Sequence, residues 1–169
     1  MNRRDWLSRT SAVVATFSLP GFSVGTARAA SSFPLNKSKS EWKKLLPPES
    51  YRVLFEEGTE PAGSSALNAE KRVGTFICAA CNQALFDSAH KYESGTGWPS
   101  FWQPLPDTVG TKTDFGLFYP RIEYHCARCG GHQGHVFNDG PPPTGKRYCN
   151  NGVALKFIVK GDPLPALRT

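Results

Sequence analysis

The pattern of apolar and polar residues divides the chain into three parts. Near the N-terminus, an uncharged and mostly apolar stretch from Ser11 to Thr26 follows a basic start. Two short segments with apolar residues on one face, Ser40–Leu46 and Pro48–Phe55, predict two short helices. Farther along, short runs rich in β-branched and aromatic residues alternate with turn residues, as is typical of strands. The pattern therefore predicts a mainly β, mostly antiparallel domain that follows two N-terminal helices.

The predicted strands are short and are spread over the second half of the chain. A loop rich in glycine, proline and serine, residues 58–68, separates them from the helices. The roughly 140 residues after the N-terminal stretch are enough for one domain with its own core. We therefore expect one domain at residues 40–169, preceded by a flexible segment at residues 30–39. The runs predicted to be strands are Gly74–Cys78, Ala84–Phe86, Phe115–Tyr119, Arg121–Cys126 and Gly152–Val159.

Residues 1–29 have the features of an export signal. A basic start that contains Arg3 and Arg4 precedes the apolar stretch, which ends in the small-residue pattern Ala27-Arg28-Ala29. The paired arginines predict a twin-arginine leader, cleaved after Ala29, that delivers the protein to the periplasm. An ordinary secretory leader that happens to contain two arginines is the alternative. Because the twin-arginine route carries folded proteins, a metal site can be filled before export.

Net charge and hydropathy narrow the classes of partner. The net charge is +6, but the predicted leader contains four arginines and one aspartate and accounts for half of it. We see no basic stripe with interleaved aromatic residues, so we do not expect the mature chain to bind nucleic acid. No apolar stretch after residue 30 is long enough to span a membrane, so we expect no membrane association of the mature form.

Four of the five cysteines form two C-x-x-C pairs, Cys78 with Cys81 and Cys126 with Cys129. Two such pairs in a small domain are typical of a site in which four thiolates bind one zinc ion. Four thiolates leave no open coordination position, so the zinc would be structural and would join distant strands. Two redox-active dithiols or an iron–sulfur centre are the alternatives, although neither pair opens a helix as a redox C-x-x-C normally does.

The fifth cysteine has the surroundings expected of a reactive thiol. Cys149 follows Lys146 and Arg147, whose positive charges would favour its thiolate. His132 and His135 are three residues apart and can exchange protons near neutral pH. The alternative interpretation is an inert buried cysteine, with histidines that lie in surface turns or act as extra metal ligands.

Two further residues extend the candidate site. Trp98 lies in a loop of glycine and proline residues and offers a flat apolar wall to a ligand, although a tryptophan more often belongs to a core. Asn151 follows Cys149 by two residues and can hydrogen bond to the backbone of a substrate. Composition alone leaves the catalytic and the structural interpretations open.

The order and spacing of these motifs resemble one enzyme family. Ser94–Phe101, the two C-x-x-C pairs, Gly134–Phe137 and Arg147–Asn151 together resemble the B-type methionine sulfoxide reductases, the MsrB family, across Ser40–Val159. The resemblance implies a β-tent fold of two antiparallel sheets and one structural zinc ion. It also implies reduction of the R epimer of methionine sulfoxide in peptides and proteins and, with the leader, repair of oxidised exported proteins.

The resemblance also assigns roles to single residues. Cys149 matches the family nucleophile, which becomes a sulfenic acid. His132 and His135 match the histidines near the sulfoxide oxygen, and Trp98 matches the indole against which the substrate methyl group packs. The residues that match those shaping the pocket or ordering the catalytic water are Phe137, Asp139, Arg147 and Asn151, with Glu123 expected in the same neighbourhood.

One position departs from the family pattern. Many members have a second catalytic cysteine where this chain has Thr96, and zinc binding would occupy the other four cysteines. We therefore expect a thioredoxin-type dithiol to regenerate Cys149 directly, and we expect a monomeric protein. The rival functions are a non-catalytic, zinc-stapled β binding module with an aromatic pocket and a zinc ribbon that binds nucleic acid.

Overall fold

The computed structural model describes residues 33–116 and 119–169. The predicted export signal and its cleavage site therefore lie outside the described residues. Within the two described ranges, no helix combines the length and the apolar character needed to cross a membrane.

Two helices open the described chain and pack against each other. They are α1 (Lys39–Leu45) and α2 (Pro48–Glu56). A capping box begins α1: the Ser38 hydroxyl accepts from the Glu41 backbone N–H, and the Glu41 carboxylate accepts from the Ser38 backbone N–H at 2.8 Å. The rings of Trp42 and Phe55 stack with centroids 4.9 Å apart and join the two helices. The two predicted helices are confirmed to within one residue at each end.

In the described part of the chain, nine strands follow and form two antiparallel sheets. The small sheet has the order β2-β1-β9, and the large sheet has the order β3-β4-β8-β7-β6-β5. The strands are β1 (Gly74–Cys78), β2 (Ala84–Asp87), β3 (Lys91–Tyr92), β4 (Ser100–Phe101), β5 (Val109–Asp114), β6 (Arg121–Cys126), β7 (His132–Phe137), β8 (Arg147–Asn150) and β9 (Leu155–Val159). The mainly β fold of two antiparallel sheets with short N-terminal helices is confirmed.

Aromatic rings fill the space between the sheets. Phe86 of β2 stacks on Phe101 of β4 with centroids 4.1 Å apart, and Phe76 of β1 meets Phe101 edge-on at 4.9 Å. Tyr124 of β6 and Tyr148 of β8 extend this cluster on the large sheet. Because the small sheet and the inner face of the large sheet share these rings, the two sheets enclose one core.

Polar side chains on the large sheet form a row that crosses all six strands. Direct cross-strand pairing places the members of this row opposite one another, so their side chains share one face of the sheet. In the order of the strands from β5 to β3, the cross-strand row is Lys112, Glu123, His135, Cys149, Ser100 and Tyr92.

The region between β5 and β6 differs from the sequence prediction. Phe115–Tyr119 was predicted to be a strand, which is wrong for its described residues: Phe115, Gly116 and Tyr119 lie in the connection between β5 and β6, and 76% of the surface of Phe115 and 60% of that of Tyr119 are exposed. Residues 117 and 118 lie outside the described residues. The real strand is β5, whose polar sequence gave no strand signal. Likewise, Gly152–Val159 is a strand only from Leu155 onward, because a short 3-10 turn occupies Gly152–Ala154.

Candidate active site and metal centre

The two C-x-x-C pairs meet where strands of the two sheets end. Cys78 is the last residue of β1 in the small sheet, and Cys126 is the last residue of β6 in the large sheet. The turn after each strand contains Cys81 and Cys129, respectively. All four sulfur atoms lie within 4.8 Å of one another, and all four side chains are buried. The cluster therefore joins the two sheets and is close enough to bind a metal ion.

The sulfur spacing fits a metal ion and not a pair of disulfides. Cys78 Sγ is 3.8 Å from Cys129 Sγ, and Cys81 Sγ is 3.6 Å from Cys126 Sγ. A disulfide requires about 2.05 Å. Four sulfur atoms at about 2.3 Å from a central zinc ion are about 3.8 Å apart, so the donor set and the spacing both fit zinc. Gln133 Nε2 lies 3.5 Å from Cys78 Sγ as a hydrogen-bond donor, which favours a thiolate there.

A cavity of about 120 Å³, the Cys149 cavity, opens at the middle of the large sheet. Five of the predicted site residues line it: Trp98, His135, Phe137, Cys149 and Asn151. Four lining residues were not predicted as site residues: Thr59, Arg121, Gly134 and Asn150. The remaining residues predicted for the catalytic and substrate-binding site do not line the cavity: His132, Glu123, Arg147 and Asp139.

Strand pairing places the thiol beside an imidazole. Cys149 on β8 lies directly opposite His135 on β7 and opposite Ser100 on β4. The backbones approach closely at this point, because a Cβ atom on Gly134 would lie 1.9 Å from the carbonyl oxygen of Cys149. Only glycine fits at that position, so the sheet itself fixes the distance between the thiol and the histidine.

The thiol of Cys149 is less acidic than its neighbours in sequence suggested. Burial raises the pKa of Cys149 and outweighs the opposite effects of the nearby side chains of Arg147 and Thr96. The prediction that a neighbouring positive charge favours the thiolate is confirmed for Arg147, but burial outweighs this effect. Lys146 is exposed and binds Asn138 Oδ1 at 2.6 Å. The resting side chain is a thiol near neutral pH and needs a base to become a nucleophile.

His135 is held by an acidic partner that the sequence did not reveal. Its Nε2 lies 2.8 Å from Asp114 Oδ2, and the same carboxylate oxygen accepts from Arg121 at 2.6 Å. The Gly116 backbone N–H, His135 and Arg121 together hold the pKa of Asp114 far below its usual range. Burial lowers the pKa of His135 and outweighs the effect of Asp114. His135 is therefore neutral near pH 7 and able to accept a proton.

A β-bulge brings the second histidine next to the first. Tyr124 pairs with Gly134 and His125 pairs with His132, so Gln133 is an extra residue in β7. In a regular strand, residues three apart point to opposite faces, but here the rings of His132 and His135 meet edge-on with centroids 5.4 Å apart. His132 Nδ1 lies 3.1 Å from Glu123 Oε1. Both predicted histidines thus belong to one pair, with only His135 in the cavity wall.

Arg147 and Asp139 support the cavity from outside its lining. Two hydrogen bonds of 2.9 and 2.8 Å join the Arg147 guanidinium to the Asp139 carboxylate. The guanidinium also lies over the ring of Phe137, 4.3 Å from its centroid. Arg147 therefore contributes in two ways, since it fixes an aromatic wall and also reaches the Cys149 thiol.

Glu60 connects the loop after α2 to both sides of the cavity. Its carboxylate accepts from the backbone N–H groups of Gly152 and Val153 at 2.6 and 2.9 Å. Its own N–H donates to Asn151 Oδ1 at 3.0 Å, and its carbonyl accepts from Trp98 Nε1 at 3.1 Å. The buried Glu60 thus fixes two predicted site residues, and the amide oxygen of Asn151 is used within the protein.

Sequence reasoning missed Asp114, Arg121 and Glu60 for different reasons. Asp114 and Arg121 flank the segment that was taken for a strand, whereas a hairpin prediction would have placed them side by side. Nothing in the local sequence marks Glu60, whose partners are more than 30 residues away along the chain. Its one signal is its place in the glycine- and proline-containing loop that follows α2.

Comparisons with known proteins agree with this geometry. A SelR domain matches residues 46–159. The chain is 54% identical over 127 residues to the peptide methionine sulfoxide reductase MsrB of Leptospira interrogans, covering 75% of this chain and 97% of that protein. It is 55% identical over 124 residues to MsrB of Methanosarcina barkeri, covering 73% of this chain and 87% of that protein. It is also 51% identical over 121 residues to the chloroplastic peptide methionine sulfoxide reductase B1 of Arabidopsis thaliana, covering 71% of this chain and 60% of that protein. The chain therefore belongs to the MsrB family of peptide methionine sulfoxide reductases.

Proposed function

We propose that this protein reduces the R epimer of methionine sulfoxide in peptides and proteins to methionine. The observation that carries the proposal is the direct pairing of Cys149 with His135 on adjacent strands, in a cavity that Trp98 and Phe137 also line. A thiol beside a neutral histidine is a nucleophile with its base, which a binding pocket does not need. Family membership supports the same reaction, since the MsrB relatives are named for it.

The cavity has separate surfaces for the two ends of a sulfoxide group. Trp98 and Phe137 offer apolar contact to the methyl and methylene groups that flank the sulfur. His135 and Arg121 offer hydrogen-bond donors to the oxygen. A sulfoxide is chiral at sulfur, so a cavity with fixed apolar and polar sides distinguishes the two epimers.

In the proposed reaction, Cys149 gives its proton to His135, and the thiolate attacks the sulfoxide sulfur. His135 returns the proton to the oxygen as the bond between oxygen and the substrate sulfur breaks. The oxygen, with that proton, bonds to Cys149 Sγ as the bond between the two sulfur atoms breaks, which releases the thioether and leaves Cys149 as a sulfenic acid. The sulfoxide gains two electrons and becomes the thioether, Cys149 loses two electrons, and this half-reaction consumes no net proton.

The sulfenic acid has to be reduced before the next turnover. Four of the five cysteines belong to the metal cluster, and Thr96 lies near Cys149 at the loop position where many members of the family have a cysteine. We expect a dithiol of the thioredoxin type to attack the oxidised sulfur, release water and leave as a disulfide. Isolation of an intramolecular disulfide that contains Cys149 after one turnover would refute this route.

The metal cluster supplies stability in this proposal, and the reaction does not pass through it. Cys78, Cys81, Cys126 and Cys129 would hold one zinc ion with all four of its positions filled. The bound metal would cross-link the two sheets, and the Cys149 cavity has none of these cysteines in its lining.

The activity is tested with peptides that contain either epimer of methionine sulfoxide and with dithiothreitol as the reductant. We expect loss of the R epimer alone, and no turnover by Cys149→Ser with its zinc content unchanged. Consumption of neither epimer would favour the rival function, a non-catalytic zinc-stapled binding module. Loss of zinc from Cys149→Ser would place this residue in the metal site and contradict the proposed role.

The predicted leader gives the proposed activity a place in the cell. We propose that the protein acts in the periplasm and repairs oxidised exported proteins. Replacement of both Arg3 and Arg4 by lysine tests this, since the precursor is then expected to remain uncleaved in the cytoplasm. Normal export of that variant would indicate an ordinary secretory leader.

A further inference from the structure

Glu123 is a buried acid on the cross-strand row, outside the lining of the Cys149 cavity. We propose that Glu123 is a positioning residue, whose carboxylate holds His132 in the orientation and tautomer that let the two histidines share a proton. This proposal rests on the proposed function and adds to it the means by which the histidine pair is held.

Both oxygens of the Glu123 carboxylate have a charged or chargeable partner. Oε1 lies 3.1 Å from His132 Nδ1, and Oε2 lies 3.1 Å from Lys112 Nζ. Lys112 also contacts Glu57 at the protein surface. Only 2% of the surface of Glu123 and 3% of that of His132 is exposed. An isolated charge at such a depth is strongly unfavourable, so the paired arrangement indicates a carboxylate that is kept ionised.

Both ring nitrogens of His132 are fully buried, and among the described residues neither has an aligned hydrogen-bond partner. Nδ1 nevertheless lies 3.1 Å from Glu123 Oε1, so the carboxylate acts on this nitrogen through its proximity and charge, and Nε2 is left for proton transfer. A carboxylate beside Nδ1 favours the tautomer with the proton on Nδ1 and leaves Nε2 as an acceptor. The same carboxylate stabilises the imidazolium that forms when a proton arrives, as in a catalytic triad. The Cys149 proton needs a temporary site of this kind between attack and oxygen transfer.

Glu123 lies outside the cavity that would hold the substrate. Glu123 and His132 line a second cavity of about 230 Å³, the rear cavity, together with Glu57, Trp42 and Phe55. The rear cavity and the Cys149 cavity have no lining residue in common. A substrate at Cys149 therefore does not touch Glu123, and any effect of Glu123 on the reaction passes through the histidines.

The charged surroundings of Glu123 come from several elements of the fold. The titratable groups near it are Lys112 on β5, His125 on β6, His132 and His135 on β7, Glu57 after α2, and Lys37 and Lys39 around the rear cavity. Burial raises the pKa of Glu123, but the effects of His132 and Lys112 outweigh it, so the pKa lies below its usual value. Glu123 is therefore ionised throughout the neutral range.

The tautomer of His132 can be observed without turnover. The chain has four histidines, so a protein labelled with ¹⁵N-histidine gives few enough ring signals to assign. In the wild type we expect the pattern of a proton on Nδ1. In Glu123→Gln we expect this pattern to change, because an amide can donate to Nδ1 and favour the other tautomer. An unchanged His132 pattern would overturn the proposal.

The effect on the reaction is measured in a single turnover without reductant, so that regeneration does not contribute. For Glu123→Gln we expect methionine formation to slow on the order of 10- to 100-fold, with an altered pH profile and substrate affinity within about twofold. Zinc content and thermal unfolding are measured in parallel. An unchanged single-turnover rate, or weaker substrate affinity at an unchanged rate, would contradict the proposal.

A second variant keeps the test usable if Glu123→Gln does not fold. In Lys112→Gln the carboxylate loses its partly exposed cation and becomes protonated at a higher pH, so the acid limb of the rate profile is expected to move upward. An unmoved acid limb would contradict a role for ionised Glu123. Glu56→Gln, which makes the same glutamate-to-glutamine change as Glu123→Gln but at an exposed site, is the matched control.

Absence of R-epimer reduction by the wild type would refute the proposed function, whereas the ¹⁵N measurement would still test the positioning of His132.

Discussion

The metal cluster and the Cys149 cavity use the same side chain under opposite conditions. Each of the four cluster cysteines lies at a strand end or in the turn after it, and faces three other sulfur atoms in a buried place. Cys149 lies inside a strand, faces a histidine and is only partly buried. The comparison shows that position in the fold, more than neighbours in sequence, separates the four cysteines that can share a metal ion from the one that faces the cavity.

The two regions also differ in whether a sulfur atom stays accessible to a ligand. In the cluster, each sulfur atom faces the other three. Once a zinc ion is bound, its four coordination positions would all be filled and none would be open to a substrate. The Cys149 cavity keeps one sulfur accessible and surrounds it with groups that have hydrogen-bond partners of their own, such as the buried Glu60 for Trp98 and the partly exposed Asp114 for His135. Stability and reactivity are thus placed in separate regions.

Removal of one cluster sulfur is expected to have the largest effect. Cys81→Ser leaves three thiolates and should release the metal, lowering the free energy of unfolding by about 3 kcal/mol or more. Zinc content and urea unfolding measure this, and Cys149→Ser, with normal zinc and near-normal stability, is the control. A Cys81→Ser protein that keeps its zinc and its stability would remove the distinction between the two kinds of cysteine.

Loss of charge at Glu60 should have an intermediate effect. Glu60→Gln replaces one acceptor oxygen by an amide N–H₂ group that faces a backbone donor, so it is expected to cost about 1–3 kcal/mol of stability. The KM for the R-sulfoxide peptide should rise as well, because Trp98 and Asn151 lose their common anchor. Thermal unfolding and steady-state kinetics test this, and an unchanged KM would show that the cavity does not need this anchor.

A cysteine placed at position 96 should change the route of regeneration while leaving the first step intact. Because the Thr96 side chain reaches the Cys149 thiol, Thr96→Cys is expected to form a disulfide with Cys149 after one turnover. Mass spectrometry detects the bond, and dimedone labelling of the sulfenic acid should decrease. Thr96→Ser, which keeps the hydroxyl group, is the control and should label like the wild type.

The smallest expected effect concerns the acidity of Cys149. Burial raises its pKa, so the rate of alkylation by iodoacetamide should reach its midpoint above the pH of about 8.5 that is ordinary for cysteine. Arg147→Met should move the midpoint further up, since Arg147 favours the thiolate. Lys146→Met should leave it in place, and a shift of similar size in both variants would restore the role that the sequence suggested for Lys146.

Local spacing made much of this protein predictable from its sequence. The two helices depend on caps and apolar periodicity within a few residues, and the metal cluster depends on two short cysteine motifs. By contrast, β5 was missed because residues such as Thr111 and Lys112 alternate with other polar residues on a sheet face covered by charge pairs. The partners of His135 and Asn151 could not be predicted either, since their contacts depend on strand register and on loops distant in sequence.

The bulge at Gln133 has a consequence for the comparison of related sequences. One additional residue in β7 turns His132 to the same face of the sheet as His135, whereas a regular strand would separate the two rings. A relative that keeps the interval of three but pairs these strands without a bulge would retain the composition of the site and lose its geometry, because residues three apart in a regular strand point to opposite faces. The bulge together with the interval of three is therefore a stricter diagnostic of a working histidine pair than the presence of the two residues.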